Sequence, residues 1–336
     1  MNVGDNFIWW FGVVEDRNDP LKLGRVRVRC YNWHTENKGQ IPTNTLHWAQ
    51  PIQPITSGAM GDIGTSPTGI VEGTWVVGFF ADGNEAQRPI VMGTLAGIPV
   101  SFGNPNSGFS DPNPTENDPS KSIYPNRIEE PDVNKLARGD SSHSVLSSKE
   151  QGRTKEVSIA NSEETWNELD SPYNATYPKN HVRETESGHI KEYDDTENNT
   201  RIHEYHKSGT FYEIDDSGNK VTRIVANNYM IVAGSNFVNI KGDVNLTIDS
   251  NCNTHIKKDW NIQVDGNVRE VIKGTYDQDV TGAITVDGST INLNNGTNGA
   301  ARLNDTVDTG DDPAGISGSD GSNLIETASK TVIIGD

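Results

Sequence analysis

An aliphatic residue returns every eight positions through the C-terminal half of this 336-residue chain, and this spacing constrains the fold more than any other feature. The aliphatic row consists of Ile224, Val232, Ile240, Ile248, Ile256, Val264, Ile272 and Val280. Between these positions apolar and polar residues alternate, which indicates strands that bury one face. Each eight-residue unit, here called an octad, therefore predicts one short strand.

Glycine is preferred at a second fixed position of the octad, two residues after the aliphatic one. It occurs there as Gly234, Gly242, Gly266, Gly274 and Gly282, whereas Ser250 and Lys258 fill the same column in other octads. Glycine followed by Asp or Asn favours a tight bend. The octads therefore predict strands of about six residues joined by corners.

A single copy of the octads has no means of burying its own aliphatic row. Known short solenoid repeats have different lengths and glycine positions, and one octad supplies only one strand and one corner. The row must be covered by something else, most simply by further copies of the chain wound around a common axis. An ordinary β-solenoid and a chance run in an Asn-rich segment are the alternatives.

The octads resemble the intertwined triple-stranded β-helix of the central spikes, or needles, of contractile phage tails and of the related valine-glycine-repeat spikes of secretion systems. The resemblance implies an all-β fold class with an N-terminal OB-fold barrel, an extended linker and an intertwined homotrimeric β-helix or β-prism. It places the needle at residues 223–288, with the aliphatic row in its core and the five glycines at its turns.

Composition limits the possible classes of protein. The hydrophobic content of 32% is low for one large globular core. The net charge of -19 argues against nucleic acid or an anionic membrane as a partner. Cys30 and Cys252 lie in different parts of the chain, which argues against a disulfide framework. The first residues lack the features of a signal peptide, so we expect a soluble protein without an export signal of its own.

Residues 1–98 are predicted to form a small β-barrel domain. Residues 7–15, 25–31 and 74–80 are apolar or alternating runs separated by turn residues, a number and length of strands typical of an OB-fold. The strings GVVEDRNDPLKLGRVRVRC and EGTWVVGFFADGNEAQRPIVMGTLAG resemble the OB domain of the phage spikes, which serves as a collar on the baseplate hub. We interpret Arg25, Arg27 and Arg29 as a solvated strand face rather than as a nucleic-acid site.

Residues 99–180 are rich in Pro, Asn, Ser, Asp and Glu and predict an extended linker. Some phage spikes carry a lysozyme domain between collar and needle, so the acidic residues here were considered as catalytic groups. Glycoside hydrolysis requires two carboxylates held on a rigid scaffold. Glu163, Glu164, Glu168 and Asp170 are close in sequence, but the segment has too few apolar residues for such a scaffold. We therefore expect no enzyme.

Residues 181–222 resemble the strand-rich segment that leads into the needle of phage spikes. They predict short strands with turns at 187–188, 196–199, 208–209 and 217–219. His203 and His206, with Glu204, raise the question of a metal site. The spacing differs from the helical motif of zinc hydrolases, and strand residues three apart face opposite sides. We expect a structural role, although a threefold axis could gather histidines from three copies.

Residues 289–336 are rich in Gly and Asp and faintly resemble the small PAAR-type tips of such spikes. Those tips bind a metal through His and sometimes Cys. Because no His follows His255 and no Cys follows Cys252, we predict no metal here. A flexible acidic tail is the alternative to a tip or cap.

The sequence thus predicts a structural, cell-puncturing spike at the centre of the tail baseplate of a virion, driven through the host outer membrane by sheath contraction. The expected partners are two further copies, a baseplate hub protein bound through the OB domain, a small PAAR-like tip protein and the host outer membrane, with no nucleic acid and no cofactor. A receptor-binding tail fibre or tip, and the spike of a type VI-like secretion apparatus, are the alternatives.

Overall fold

The computed structural model describes residues 7–96, 104–113 and 134–289, together with two short paired strands near the C-terminus. The chain divides into two compact units, Met1–Cys252 and Asn253–Asp336. Strands predominate, and the described residues contain one α-helix. The all-β fold class is confirmed. In the described part of the chain, no helix is long and apolar enough to cross a membrane.

The N-terminal strands close into a barrel. They are β1 (Trp9–Asp16), β2 (Val26–Cys30), β3 (Trp48–Pro51), β4 (Trp75–Phe80) and β5 (Pro89–Thr94), in the order β1-β2-β3-β5-β4. Two 3-10 turns, Thr43–Thr45 and Gly83–Glu85, precede β3 and β5. β3 pairs with β5 in parallel, and the other neighbours are antiparallel. Closure pairs the strand edges within the barrel and confirms the OB-like architecture.

The barrel core follows from strand alternation. Its buried members are Trp10, Val14, Val26, Val28, Cys30, Ala49, Val76, Phe80 and Val91. Burial raises the pKa of the Cys30 thiol to about 12, so this cysteine packs as a small apolar group. Gly78 lets β4 approach β5 closely, because a Cβ there would overlap the Ile90 carbonyl oxygen and the Trp10 ring.

The interpretation of the β2 arginines as a solvated face is wrong. Arg29 is fully buried, and its Nε donates to Glu15 Oε1 at 2.6 Å. The loop between β2 and β3 folds over this face and supplies two backbone carbonyl oxygens to the Arg29 guanidinium. Arg25 is paired with Asp19, and Arg27 stacks on an indole ring. Each of the three arginines thus has partners inside the domain.

A folded segment, residues 134–175, precedes the second sheet, and we call it the clasp. It contains α1 (Ser144–Gln151) and a small hairpin of β6 (Val157–Ser158) and β7 (Thr165–Trp166). The His143 side chain caps the helix by accepting a hydrogen bond from the Val145 N–H. Leu136 is fully buried. The prediction of an extended linker over residues 99–180 is therefore wrong for the clasp, while residues 114–133 lie outside the described residues.

The clasp covers one face of an antiparallel sheet. Its strands are β8 (Asn180–Glu184), β9 (Ile190–Asp194), β10 (Arg201–Tyr205), β11 (Phe211–Ile214) and β12 (Lys220–Arg223), paired in chain order. The four connections coincide with the predicted turns. Leu136 and Val145 of the clasp form a second core with Ile190, Tyr205 and Phe211 of the sheet. In the C-terminal unit, β13 (Thr306–Val307) pairs with β14 (Asn323–Leu324).

Candidate functional site

The octad segment begins directly after β12 and bends at a constant interval. From residue 224 to residue 289 the backbone is neither helix nor paired strand. Bends occupy residues 225–226, 233–234, 241–242, 249–250, 257–258, 265–266, 273–274 and 281–282. The second residue of each bend lies in the glycine column of the octad. The structure therefore places Gly234, Gly242, Gly266, Gly274 and Gly282 at bends.

The aliphatic row is uncovered along its length. The exposed fractions are 39% for Ile224, 46% for Val232, 56% for Ile240, 48% for Ile248, 43% for Ile256, 50% for Val264, 45% for Ile272 and 41% for Val280. The other aliphatic positions of the octads, such as Leu246 and Val268, are even more exposed. A soluble protein rarely leaves so much apolar surface in water unless another molecule covers it.

The backbone of the octads is unpaired as well. Residues 226–289 form no backbone-to-backbone hydrogen bond with any residue that the structure describes. Extended backbone presents N–H and C=O groups on both edges, and such edges readily accept another strand. The segment thus combines an uncovered apolar row with two open strand edges, which together make a surface suited to pairing with other chains.

The two histidines of the candidate metal motif differ in burial, with His203 inside β10 and His206 directly after it. His203 is fully buried, whereas His206 is exposed beside His189, with ring centroids 4.5 Å apart. His203 Nδ1 lies 2.6 Å from Glu192 Oε2. Among the described residues, no group of three or more His, Cys, Asp or Glu side chains could hold a metal ion. The contacts of His203 are those of a structural residue.

The face of the sheet beneath the clasp carries a buried charge cluster, which consists of Lys149, Glu192, Arg201, His203 and Glu213. Arg201 donates to Glu192 Oε1 at 2.6 Å and to Glu213 Oε1 at 3.0 Å. Lys149 Nζ lies 2.7 Å from Glu213 Oε2. Buried charges are tolerated only when they are paired and hydrogen-bonded in this way.

The cluster fixes the protonation states of its members. Burial by itself raises the pKa of Glu192, but hydrogen bonds and charge from His203 and Arg201 outweigh it and lower the pKa to about 2. Burial lowers the pKa of His203 below its ordinary value, in spite of the bond to Glu192. Burial likewise lowers the pKa of Lys149, against the attraction of Glu213. We therefore assign a neutral His203 beside an ionised Glu192 at neutral pH.

Two of the four acidic residues that were considered as catalytic groups, Glu168 and Asp170, form ion pairs. Glu168 forms an ion pair with Arg223 of β12, in which Glu168 Oε1 lies 2.6 Å from Arg223 Nη2. Asp170 is ion-paired with Arg153 within the clasp. Glu163 and Glu164 are exposed at the β6–β7 hairpin. Glu168 thus ties the clasp to the last strand before the octads.

Sequence reasoning missed the charge cluster, although a signal was present. The charged residues of β9 and β10 are spaced by two, as Glu192 and Asp194 and as Arg201 and His203. This spacing puts each pair on one strand face. Opposite signs on the facing strands could have indicated a paired buried face instead of a solvated one.

Comparison with known proteins agrees with this architecture. Residues 31–182 match the family model described as the Gp5 N-terminal OB domain. The chain is 42% identical to Protein Gp5 of Vibrio phage KVP40 over 275 residues, which are 73% of this chain and 64% of that protein. It is 46% identical to the pre-baseplate central spike protein Gp5 of Enterobacteria phage T4 over 154 residues, which are 43% of this chain and 25% of that protein.

The chain therefore spans less than two thirds of the length of the first relative and a quarter of the second. Over these matched parts, the comparisons confirm the resemblance of this chain to the central spike proteins of phage baseplates.

Proposed function

We propose that this chain is the structural central spike of a contractile tail, at the centre of the virion baseplate. Three copies wind their octads around one axis, and sheath contraction drives the resulting needle through the host outer membrane. The observation that carries the proposal is the octad segment itself, whose aliphatic row is uncovered and whose backbone is unpaired. The name of the phage T4 relative, a central spike protein, supports the same role.

Packing gives the needle its stiffness. In a threefold assembly each octad layer brings together aliphatic side chains from three chains. Each side chain removed from water contributes at most about 1.5 to 3 kcal/mol. Strand pairing between copies would also satisfy the open backbone edges. Bending or unwinding the needle would expose several layers at once, which suits a part that transmits force.

The proposed role is mechanical and non-enzymatic. Glu168 and Asp170 are held in ion pairs with arginines, and this arrangement favours a structural role for them. In the proposed division of the chain, residues 1–98 form the collar, 181–222 the entry to the needle, 223–288 the needle and 289–336 a tip or cap. The clasp joins the entry region as a folded part and does not act as a free linker.

The outer face of the barrel supports its proposed docking to a hub protein. Trp9 and Phe11 on β1 and Trp75 on β4 are 55%, 37% and 42% exposed. The Trp9 and Phe11 rings contact each other edge to face, with centroids 5.0 Å apart. Exposed aromatic residues of this kind are enriched at protein interfaces. A small tip protein at the C-terminal end remains part of the proposal.

Light scattering of the purified chain tests the proposal. We expect a particle three times the mass of the 36.7 kDa chain. A well-folded particle of single-chain mass would contradict it. Release of sugar from purified peptidoglycan would contradict the non-enzymatic part alone, because trimerisation and hydrolysis are measured separately.

A further inference from the structure

Polar and apolar side chains together attach the clasp to the sheet. From the clasp, Lys149 reaches Glu213 and Glu168 reaches Arg223. The Asn180 side chain donates to the Leu136 carbonyl oxygen at 3.1 Å. Leu136 and Val145 are the buried apolar members from the clasp, with Leu146 and Tyr173 packed against them. The polar part of this attachment depends on the charges at the contact.

His203 occupies the middle of that contact. It lies directly opposite Glu192 on β9 and Glu213 on β11. Because the carboxylate of Glu192 can only accept, Nδ1 of the neutral ring carries the proton that is donated to it. Nε2 is buried and has no hydrogen-bond partner. The neutral ring thus leaves one nitrogen unprotonated in a space closed to water.

The charged groups that face His203 come from four elements. Glu192 on β9 and Glu213 on β11 are negative, and Lys149 on α1 and Arg201 on β10 are positive. Asp194 is a further buried carboxylate on this face of β9 and lies opposite Arg201, away from the His203 ring. A proton on Nε2 puts a cation beside Lys149 and Arg201 and adds a buried N–H without an acceptor, which is costly in a low-dielectric interior. The cation of the cluster that belongs to the clasp is Lys149.

We propose that His203 makes the clasp an acid-sensitive latch: protonation of the ring expels Lys149 and releases residues 134–175 from the sheet, while the barrel stays folded. The inference concerns one chain and does not depend on the proposed function. Burial lowers the pKa of His203 from its ordinary value of 6.5. The latch is therefore fully closed above about pH 6.5, and its stability is lost as the pH falls from there through the folded pKa.

Release of the clasp through His203 and acid unfolding through protonation of the carboxylates occur in different pH ranges. The pKa of Glu192 is about 2 in the folded chain against an ordinary 4.5, so its contribution is lost only below about pH 4.5. A loosening of the clasp at about pH 5.5 is thus distinct from protonation of Glu192, and the variants below assign it to His203.

Hydrogen exchange of the full-length protein tests the latch. Rates at about pH 8 and about pH 5.5 are converted to protection factors, which removes the intrinsic effect of pH. We expect amides of the clasp to lose protection by up to about tenfold at the lower pH, because about pH 5.5 lies one unit below the ordinary pKa of 6.5. Barrel amides should keep theirs.

Two glutamine variants provide the comparison. In His203→Gln the side-chain amide can still donate to Glu192 but does not titrate, so the pH-dependent loss should disappear. In His206→Gln, which changes an exposed histidine directly after β10, the loss should match the unchanged protein. Equal losses in His203→Gln and the unchanged protein would overturn the latch, and so would a loss of protection spread evenly over the barrel.

Lys149→Gln provides a second test of the latch in case the His203→Gln protein does not fold. Removing the cation of the clasp relieves its repulsion with a protonated His203, so the ratio of protection between the two pH values should shrink. A ratio as large as that of the unchanged protein would also overturn the proposal.

Discussion

The sheet β8–β12 and the octad segment use the same local chemistry with opposite results. Both consist of short segments in which apolar and polar residues alternate, and most of the turns or bends between these segments contain glycine. In the sheet, each turn reverses the chain, so the next strand pairs with the one before it. In the octads, two-residue bends change direction without producing such pairs. The geometry of the turn decides whether strands of this composition complete themselves or need another chain.

The comparison separates two kinds of stability. The sheet and the clasp satisfy their polar groups within one chain, so their stability does not depend on concentration. If the octads associate as proposed, their stability is linked to protein concentration. The predictions below test each side, starting with the largest expected effect.

Ile256→Asp should abolish assembly of the octads. Ile256 belongs to the aliphatic row, and an assembled needle would bring several copies of the new carboxylate into an apolar interior, at a cost of several kcal/mol for each unpaired charge. Light scattering should show single-chain mass. Asn253→Asp, which adds the same charge at an alternate position of the octad, should keep the mass of the unchanged protein. A trimeric Ile256→Asp protein would show that the aliphatic row is not needed for assembly.

Glu192→Gln should destabilise the sheet and clasp strongly while leaving oligomer mass unchanged. It leaves Arg201 as a buried cation with one carboxylate fewer, and breaking such pairs costs about 3 to 5 kcal/mol. Chemical denaturation followed by near-UV circular dichroism measures the loss.

Glu204→Gln is the matched control on the exposed face of β10. We expect its effect to stay within about 0.5 kcal/mol. Equal effects of the two glutamate changes would show that the charge cluster contributes little to stability.

Gly78→Ala should destabilise the barrel by about 1 to 3 kcal/mol, since the new methyl group has to displace the Ile90 carbonyl or the Trp10 ring. Gly93→Ala on the neighbouring strand β5 meets nothing within 4 Å and serves as its control. Thermal unfolding, with tryptophan fluorescence as the signal, compares the two. The idea of close approach at Gly78 fails if both variants unfold at the same temperature.

The smallest expected effect on stability comes from replacing a hairpin glycine and an octad glycine by alanine. Gly188, in the turn between β8 and β9, has φ of 86°, and an alanine there should cost about 1 kcal/mol. Gly242 lies at an octad bend with open space around its Cα, and other octads carry Ser or Lys in the same column. Gly242→Ala should be nearly neutral in denaturant unfolding. A larger cost at Gly242 than at Gly188 would indicate that copies approach closely at the octad corners.

The parts of the fold that the sequence predicts are those with a local pattern of apolar, polar and turn residues. Barrel strands and the four turns of the second sheet follow from alternation and turn residues, and the octad bends coincide with the glycine column. The burial of Arg29 and His203 was not predictable in this way, because charged residues are usually exposed. Their partners, Glu15 and Glu192, are 14 and 11 residues away.

The clasp illustrates the same limit more strongly. Its composition predicts a linker, and few of its residues are apolar. It folds because distant polar partners satisfy it, as in the bond from Arg223 to the Lys149 carbonyl oxygen, 74 residues apart. Such pairs leave no periodic trace in the sequence, whereas the octad repeat does.

Hydrogen exchange across residues 226–289 of the purified, full-length protein tests the central claim most directly. If the octads pair with their own copies, these amides should exchange at least as slowly as those of the barrel strands. Exchange at the rate of an unstructured chain throughout this segment, in a protein whose barrel is protected, would contradict the account.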